Sequence, residues 1–251
     1  MEELAEEREA LQHTVTKQVW QSARADKGLS LSMVIQRKDL ETFHRLLDEH
    51  DEDAMDCGVA DSSGMTCLHH AARSVNQELV MKIKSRSPAS MDALTYHSRT
   101  PSQWSVLNCL ADVPKPKDVP MQRQHGELSR MLASEMSLDA LANVTGTGTG
   151  TTVVHQLVAR GHSLSLEYVL EVMQGRLGRE RTAELINTQV GKDQLGAVDT
   201  ALRCNKEFVP ILKRAGGVEM AVRPDDWKQC RRRQTDSTCN ARSDQKAEAR
   251  W

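Results

Sequence analysis

The sequence predicts an all-α fold in which about five helix-pair repeats stack into one elongated domain. A short phrase recurs along the chain, with reference positions at residues 29, 66, 100, 152 and 196, and recurrence at such intervals is typical of repeat architectures. Apolar residues also follow these phrases at helical spacing. A composition of 39% hydrophobic and 27% charged residues suits a helical globular protein.

The clearest copy of the phrase is Gly-Met-Thr-Cys-Leu-His-His-Ala-Ala at residues 64–72. Its order, Gly-x-Thr-x-Leu-His-x-Ala-Ala, resembles the opening of an ankyrin repeat. Weaker copies begin at Thr100, Thr152 and Gly196, and a blurred first copy begins at Leu29. The resemblance implies an ankyrin-type solenoid, in which each unit is a pair of antiparallel helices followed by a hairpin-like loop.

Helical spacing supports the individual units. In the first, Leu40, Phe43 and Leu46 lie on one face of an expected second helix. In the fourth, Gly161-His162 marks the turn before a second helix over 164–177. In the fifth, Pro210 is compatible with a helix only in its first turn.

The third unit matches least well and requires a long insertion. Residues 114–120 contain three prolines, which remove amide donors and disfavour helix in the residues before them. This stretch is therefore expected to be a loop between two helices. The second helix is placed within 126–141, and the other long gap is assigned to an insertion over 178–195.

These assignments divide the chain into three parts. Residues 1–28 are predicted to be an N-terminal helical cap that covers the first unit, although a helix that pairs with another chain is an alternative. Residues 29–217 form the repeat stack. Residues 218–251 form a polar C-terminal tail that is expected to be disordered, because it has few aliphatic residues to bury.

Charge and hydropathy narrow the partners and the location. The formal net charge is −2, so no global basic field favours nucleic acid as the main partner. No apolar run reaches membrane-spanning length, and the start of the chain is acidic where a targeting peptide would be basic. We therefore expect a cytoplasmic or nuclear protein without membrane insertion.

No pattern of a catalytic, metal or cofactor site is found. The resemblance makes His69 and His155 structural residues of the repeat. The glycine-rich run 145–152 lacks the Gly-Lys-Ser/Thr ending of a phosphate-binding loop, which favours a flexible hairpin loop. We expect no catalytic residues, no metal and no cofactor.

The repeat register implies a partner-binding face. Residues four and seven positions after each reference residue are expected to line the concave groove, with Trp104 at its centre as the predicted hot spot. The alternative for Trp104 is a place in the core of a degenerate third unit. The candidate partner-binding residues are His70, Arg73, Trp104, Leu107, Gln156 and Arg203, accompanied by Ala159 and Thr200.

The function expected from this resemblance is that of a non-enzymatic scaffold, adaptor or assembly subunit that binds proteins through the groove and hairpin loops. The alternative is a regulatory component of an enzyme system, or an enzyme with an unrecognised site near the insertions 110–150 and 178–195. A pocket with several convergent titratable groups would favour the alternative.

Overall fold

A computed structural model describes residues 31–37, 39–48, 59–62, 64–95, 104–144, 151–190 and 195–219. Within these residues the regular structure is helical and no strand is present; two isolated bridges join Leu94 to Ser105 and Val190 to Leu195. The prediction of an all-α protein is therefore confirmed for this part of the chain. One compact unit ends at Val218, and the predicted N-terminal cap and nearly all of the predicted tail lie outside the described residues.

The helices differ widely in length. Residues 31–36 belong to α1. The others are α2 (Leu40–Asp48), α3 (Cys67–Arg73), α4 (Gln77–Arg86), α5 (Val106–Ala111), α6 (Val119–Glu135), α7 (Leu138–Leu141), α8 (Val153–Arg160), α9 (Ser163–Leu177), α10 (Arg179–Asn187), α11 (Ala197–Cys204) and α12 (Val209–Arg214). Short 3₁₀ helices cover Pro88–Asp92 and Lys206–Phe208.

The helices pack in pairs, and the pairs pack on one another. Helices α3 and α4, α5 and α6, α8 and α9, and α11 and α12 are in contact as pairs. The first helices of these pairs also contact each other in sequence, α3 with α5, α5 with α8 and α8 with α11. Among the second helices, α6 and α9 pack extensively.

Each first helix starts after a residue with extended backbone: Thr66, Ser105, Thr152 and Gly196. The intervals between these N-caps are 39, 47 and 44 residues. The reference position at Thr100 was therefore wrong, because the helix starts five residues later, after Ser105. The phrase 100–103 itself lies outside the described residues.

A cap and a buried apolar pattern explain this later start. The Ser105 hydroxyl accepts a hydrogen bond from the Asn108 amide, which satisfies a donor that the first helical turn leaves free. Starting there also places Leu107 and Leu110 on the buried face. A start at Thr100 would instead place Ser102 at the position of the core leucine.

The corrected register brings equivalent residues to equivalent burial. The second residue after each N-cap has 0–1% of its surface exposed, which identifies the apolar anchor of each first helix. Burying each of these side chains contributes about 1.5–3 kcal/mol before entropy is counted. These anchors are Leu68, Leu107, Val154 and Val198.

The second helices match the sequence prediction unevenly. Helix α9 spans Ser163–Leu177, close to the predicted 164–177, and Pro210 lies in the first turn of α12, as required. Helix α6 begins earlier than predicted, because Asp118 accepts a hydrogen bond from the Met121 amide at 2.7 Å and a proline is tolerated in the first turn. Helix α10 fills much of the insertion that the sequence left without structure.

Side chains at the turns tie neighbouring units together. Gly161 ends α8 with a positive φ of 83°, a conformation that glycine adopts without strain. The next residue, His162, donates from Nε2 to the Val113 carbonyl at 2.7 Å. In the following unit, Asn205 donates to the Val158 carbonyl at 2.6 Å. Each bond satisfies a carbonyl near the end of the preceding first helix.

Candidate functional site

The histidines at the third helical positions contact the N-caps of their own helices. Nδ1 of His69 accepts from the Thr66 amide at 3.2 Å and lies 2.8 Å from the Thr66 hydroxyl, while Nε2 contacts the Trp104 carbonyl at 3.3 Å. Nδ1 of His155 lies 2.7 Å from the hydroxyl of Thr152. Burial lowers the pKa of both imidazoles to about 4, so both are neutral at pH 7.

The predicted binding residue His70 belongs to a polar network at one end of the row of first helices. Its Nε2 lies 2.7 Å from Oδ2 of Asp61, and the side-chain amide of Gln36 donates to the same oxygen at 3.2 Å. This network links α1 to α3. Arg73, one helical turn further along α3, is exposed.

Trp104 lies immediately before the N-cap of α5 and is half-buried. Its carbonyl accepts from the Thr95 amide at 2.9 Å, and its own amide donates to the Thr95 hydroxyl at 3.0 Å. Its place is therefore in the loop that leads into α5, one residue before the helix cap. A groove-facing position on the helix, which the shifted register implied, is not observed.

Leu107 is not a surface residue. Only 1% of it is exposed, because the later start of α5 turns it into the core. Its assignment to the groove is thus corrected. Arg203 is half-buried and Ala159 is exposed, whereas Gln156 is 8% exposed.

Several of the predicted residues do line a common recess. It has a volume of about 340 Å³ and lies along α8, between the end of α5 and the start of α11. Six of its eight lining residues carry polar or charged side chains, but most of the exposed lining surface is apolar. The lining residues are Asp112, Thr151, His155, Gln156, Ala159, Arg160, Val190 and Thr200.

An ion pair lies in the recess lining. Arg160 donates to Oδ1 of Asp112 from Nη2 at 2.6 Å and from Nε at 3.2 Å. Both side chains are partly exposed, so the pair adds little to stability. Its effect here is to give the recess a nearly neutral rim. The sequence analysis predicted neither residue. Counting the third unit from Thr100 instead of Ser105 left Asp112 outside the expected face, and no motif marks Arg160.

A hydrogen-bond chain fixes the polar side chain of Gln156. Oδ1 of Asn108 accepts from the Ser105 amide at 3.1 Å and from the Ser105 hydroxyl at 2.7 Å. Nδ2 of Asn108 then donates to Oε1 of Gln156 at 3.0 Å. The cap of α5 and the surface of α8 are therefore connected through two amide side chains.

Two further features lie away from this recess. A cleft of about 420 Å³ separates α9 from α12 and is lined by Glu167, Leu170, Glu171, Gln174, Ile211, Arg214 and Ala215. The imidazoles of His125 and His162 stack with centroids 4.0 Å apart and planes 8° apart. Burial lowers the pKa of His125 to about 4, and it also lowers the pKa of His162. No sequence motif indicated either feature.

Within the described ranges, no group of three or more His, Cys, Asp or Glu residues is arranged to hold a metal ion. None of the helices in the same part of the chain combines the length and apolar character that a bilayer crossing requires.

Comparison with models of known protein families and with curated proteins gave no match for this chain.

Proposed function

We propose that this chain is an ankyrin-type repeat protein that binds a protein partner through the face formed by its first helices and the loops before them. The proposed role is that of a non-enzymatic scaffold, adaptor or subunit of a larger assembly. The supporting observation is the row α3, α5, α8 and α11, whose members share the same cap position and the same buried anchor. A row of this kind presents a long continuous surface, which solenoids use for binding.

The polar bonds at the helix starts also support the proposal. A side chain at the third helical position turns back to its N-cap in each of these four helices: His69, Asn108, His155 and Asp199. In α3, Nε2 of His69 also contacts the carbonyl of Trp104, which lies in the loop that leads into the next unit. This is the structural role that the ankyrin resemblance assigns to the histidine.

The corrected register redefines the proposed binding face. Residues four positions after the caps are His70, Cys109, Gln156 and Thr200, and residues seven positions after them are Arg73, Asp112, Ala159 and Arg203. Cys109 is 1% exposed, so the third unit contributes chiefly Asp112. Trp104 stays in the proposal as a loop residue at the same edge. The hairpin tips 96–99 and 192–194 lie outside the described residues.

Affinity capture with cross-linking mass spectrometry tests this proposal, because it identifies the partner and the contacting surface together. We expect cross-links to concentrate on the first helices and their preceding loops. Trp104→Ala should weaken capture by more than about tenfold, as truncation of a hot-spot Trp costs about 2 kcal/mol or more. The double variant Arg73→Ala and Arg203→Ala should weaken it less, with its largest effect at low salt.

A matched control is Met81→Ala, which truncates a large exposed side chain on the second helix α4. It should leave capture unchanged. If Trp104→Ala lowers the melting temperature and reduces capture only in proportion to the folded fraction, Trp104 is a core residue. Cross-links confined to second helices would contradict the proposed face.

A further inference from the structure

We propose that the recess between α8 and α11 is a subsite for a carboxamide group, presented by an asparagine or glutamine side chain of the protein partner. This inference rests on the proposed function, since it assigns the chemistry of one position on the same face. It depends on the orientation of the Gln156 amide, on the remaining acceptor of Asp112 and on the neutral charge of the recess rim.

The orientation of the Gln156 amide follows from a backbone donor. The Ser105 amide can only donate, so the Asn108 atom that it contacts must be the oxygen. The other Asn108 terminal atom is therefore the nitrogen, and it must meet the oxygen of Gln156. As a result, the Gln156 NH₂ group lies away from Asn108. No described hydrogen bond uses this group in the recess that Gln156 lines.

Gln156 is also held in place. It is 8% exposed, and its neighbour Asn108 is fixed by two bonds to the N-cap of α5. Its NH₂ group keeps an unused donor pair, which a ligand with an acceptor atom can use. The recess thus offers a positioned donor on the α8 side.

Asp112 supplies the complementary acceptor. Two of the three nitrogens of Arg160, Nη2 and Nε, donate to Oδ1 of Asp112 at 2.6 and 3.2 Å, so Oδ2 stays available among the described contacts. A carboxamide has one carbonyl oxygen and one NH₂ group. It can accept from the Gln156 NH₂ group and donate to Oδ2 of Asp112, and both residues line the recess.

The neutral rim favours a carboxamide over a carboxylate. The charge of Arg160 is balanced by Asp112, and an incoming carboxylate would face the free Oδ2 of Asp112 as a like charge. An ammonium group could donate to Oδ2 of Asp112, but it would meet only donors at the Gln156 NH₂ group. Ala159 and Val190 provide apolar lining for the methylene carbons of an Asn or Gln side chain.

The test uses propionamide as the probe and propionate as its charged counterpart, titrated into the ¹⁵N-labelled full chain. Small probes of this size bind weakly, in the range of about 1–100 mM. We expect propionamide to shift the side-chain NH₂ resonances of Gln156 in a saturable manner, with an affinity about fivefold above that of propionate, the size of one net hydrogen bond. An absence of saturable shifts, or equal affinity for both probes, would overturn the proposal.

The variant Asp112→Asn provides the sharper test. It removes the acceptor charge and leaves Arg160 without its partner, so the preference should reverse toward propionate by about fivefold or more. Asp112 is partly exposed, and the chain should remain folded. Glu167→Gln, an equal change of charge on α9, is the control and should leave both affinities unchanged. A reversal with the control variant as well would show that net charge, and not the recess, sets the preference.

Gln156→Leu tests the donor side. It should abolish the propionamide response, read from the backbone amides of Ala159 and Thr200, and a thermal melt establishes that the variant is folded. Retained binding in the folded variant would overturn the assignment of Gln156. If the variant fails to fold, the reversal of preference expected for Asp112→Asn decides the proposal instead. Probe binding is measured without the partner, so failed partner capture with positive titrations would reject the proposed function while leaving the subsite intact.

Discussion

The N-cap amides of α3 and α5 are hydrogen-bonded by different side chains. In both, the residue at the third helical position returns to its N-cap, His69 to Thr66 and Asn108 to Ser105. The ring of His69 is long enough to reach a second partner in the following loop, the Trp104 carbonyl at 3.3 Å. Asn108 is shorter, and its far end binds Gln156 on the next first helix instead.

The residue at the third helical position therefore has two roles: it binds the N-cap of its own helix, and it contacts the next unit. The task at the cap requires only an acceptor for the N-cap donors, which an imidazole nitrogen and an amide oxygen supply equally. The contact with the next unit depends on the length of the side chain. Histidine couples its unit to the next loop, whereas asparagine couples its unit to the next helix and thereby orients the buried Gln156.

The two solutions should differ most in their response to acid. The pKa of His69, His125 and His155 is lowered to about 4 by burial, and that of His162 is lowered as well. Below about pH 6.5 the unfolded chain binds protons that the folded chain excludes. Stability is therefore full above pH 6.5 and falls toward pH 4, by up to about 1.4 kcal/mol per pH unit for each histidine. Urea unfolding at pH 7.5, 6.0 and 5.0 measures this, and equal free energies at the three values would contradict it.

A buried charge tests whether the two helix starts share one register. Leu68→Asp and Leu107→Asp place a carboxylate at equivalent anchors, and each should cost about 3–5 kcal/mol because the charge has no partner. Ala159→Asp on the exposed side of α8 is the control and should cost little. Chemical denaturation compares the three. If Leu107→Asp melts like wild type while Leu68→Asp unfolds, the register of α5 is wrong.

Exchanging the side chains sharpens the comparison further. His69→Asn keeps an acceptor for the Thr66 amide but loses the contact with Trp104, which should cost about 1–2 kcal/mol at pH 7. Because an amide does not titrate, the variant should lose less stability than wild type between pH 7.5 and 5.0. Parallel unfolding curves for both proteins over this range would show that His69 contributes nothing to acid sensitivity.

The smallest effect is expected at the cap itself. Ser105→Ala removes the hydroxyl that accepts from the Asn108 amide and donates to the Asn108 oxygen, at a cost of about 1 kcal/mol. Ser105→Thr restores the residue type found at Thr66 and Thr152, and it should unfold close to wild type. Differential scanning calorimetry resolves the two. A neutral Ser105→Ala would indicate that the Ser105 amide alone holds Asn108.

Much of the helical content was predictable because it depends on local rules. Apolar spacing and the Gly161-His162 turn placed α9 within one residue of its observed start. The prolines of 114–120 indicated a loop before α6, but the cap at Asp118 was missed, so that helix starts earlier than predicted. Helix α10 carried no repeat signal and was left as an insertion.

The candidate site was predictable only in part. Gln156, Ala159 and Thr200 were placed on one surface, and all three line the recess. Leu107 failed because the third repeat phrase was anchored on Thr100, whereas the helix cap is Ser105. That same error hid Asp112, which occupies the seventh position once the register is corrected.

The sequence by itself determined that the described chain is helical and where most helices begin, because apolar period, caps and prolines act over a few residues. The tertiary structure alone decided which side chains meet across units. Asn108 touches Gln156, and Asp112 touches Arg160, across 48 residues of sequence in each case. Such contacts depend on how one helix packs against the next, and a shift of five residues in one unit is enough to change every partner.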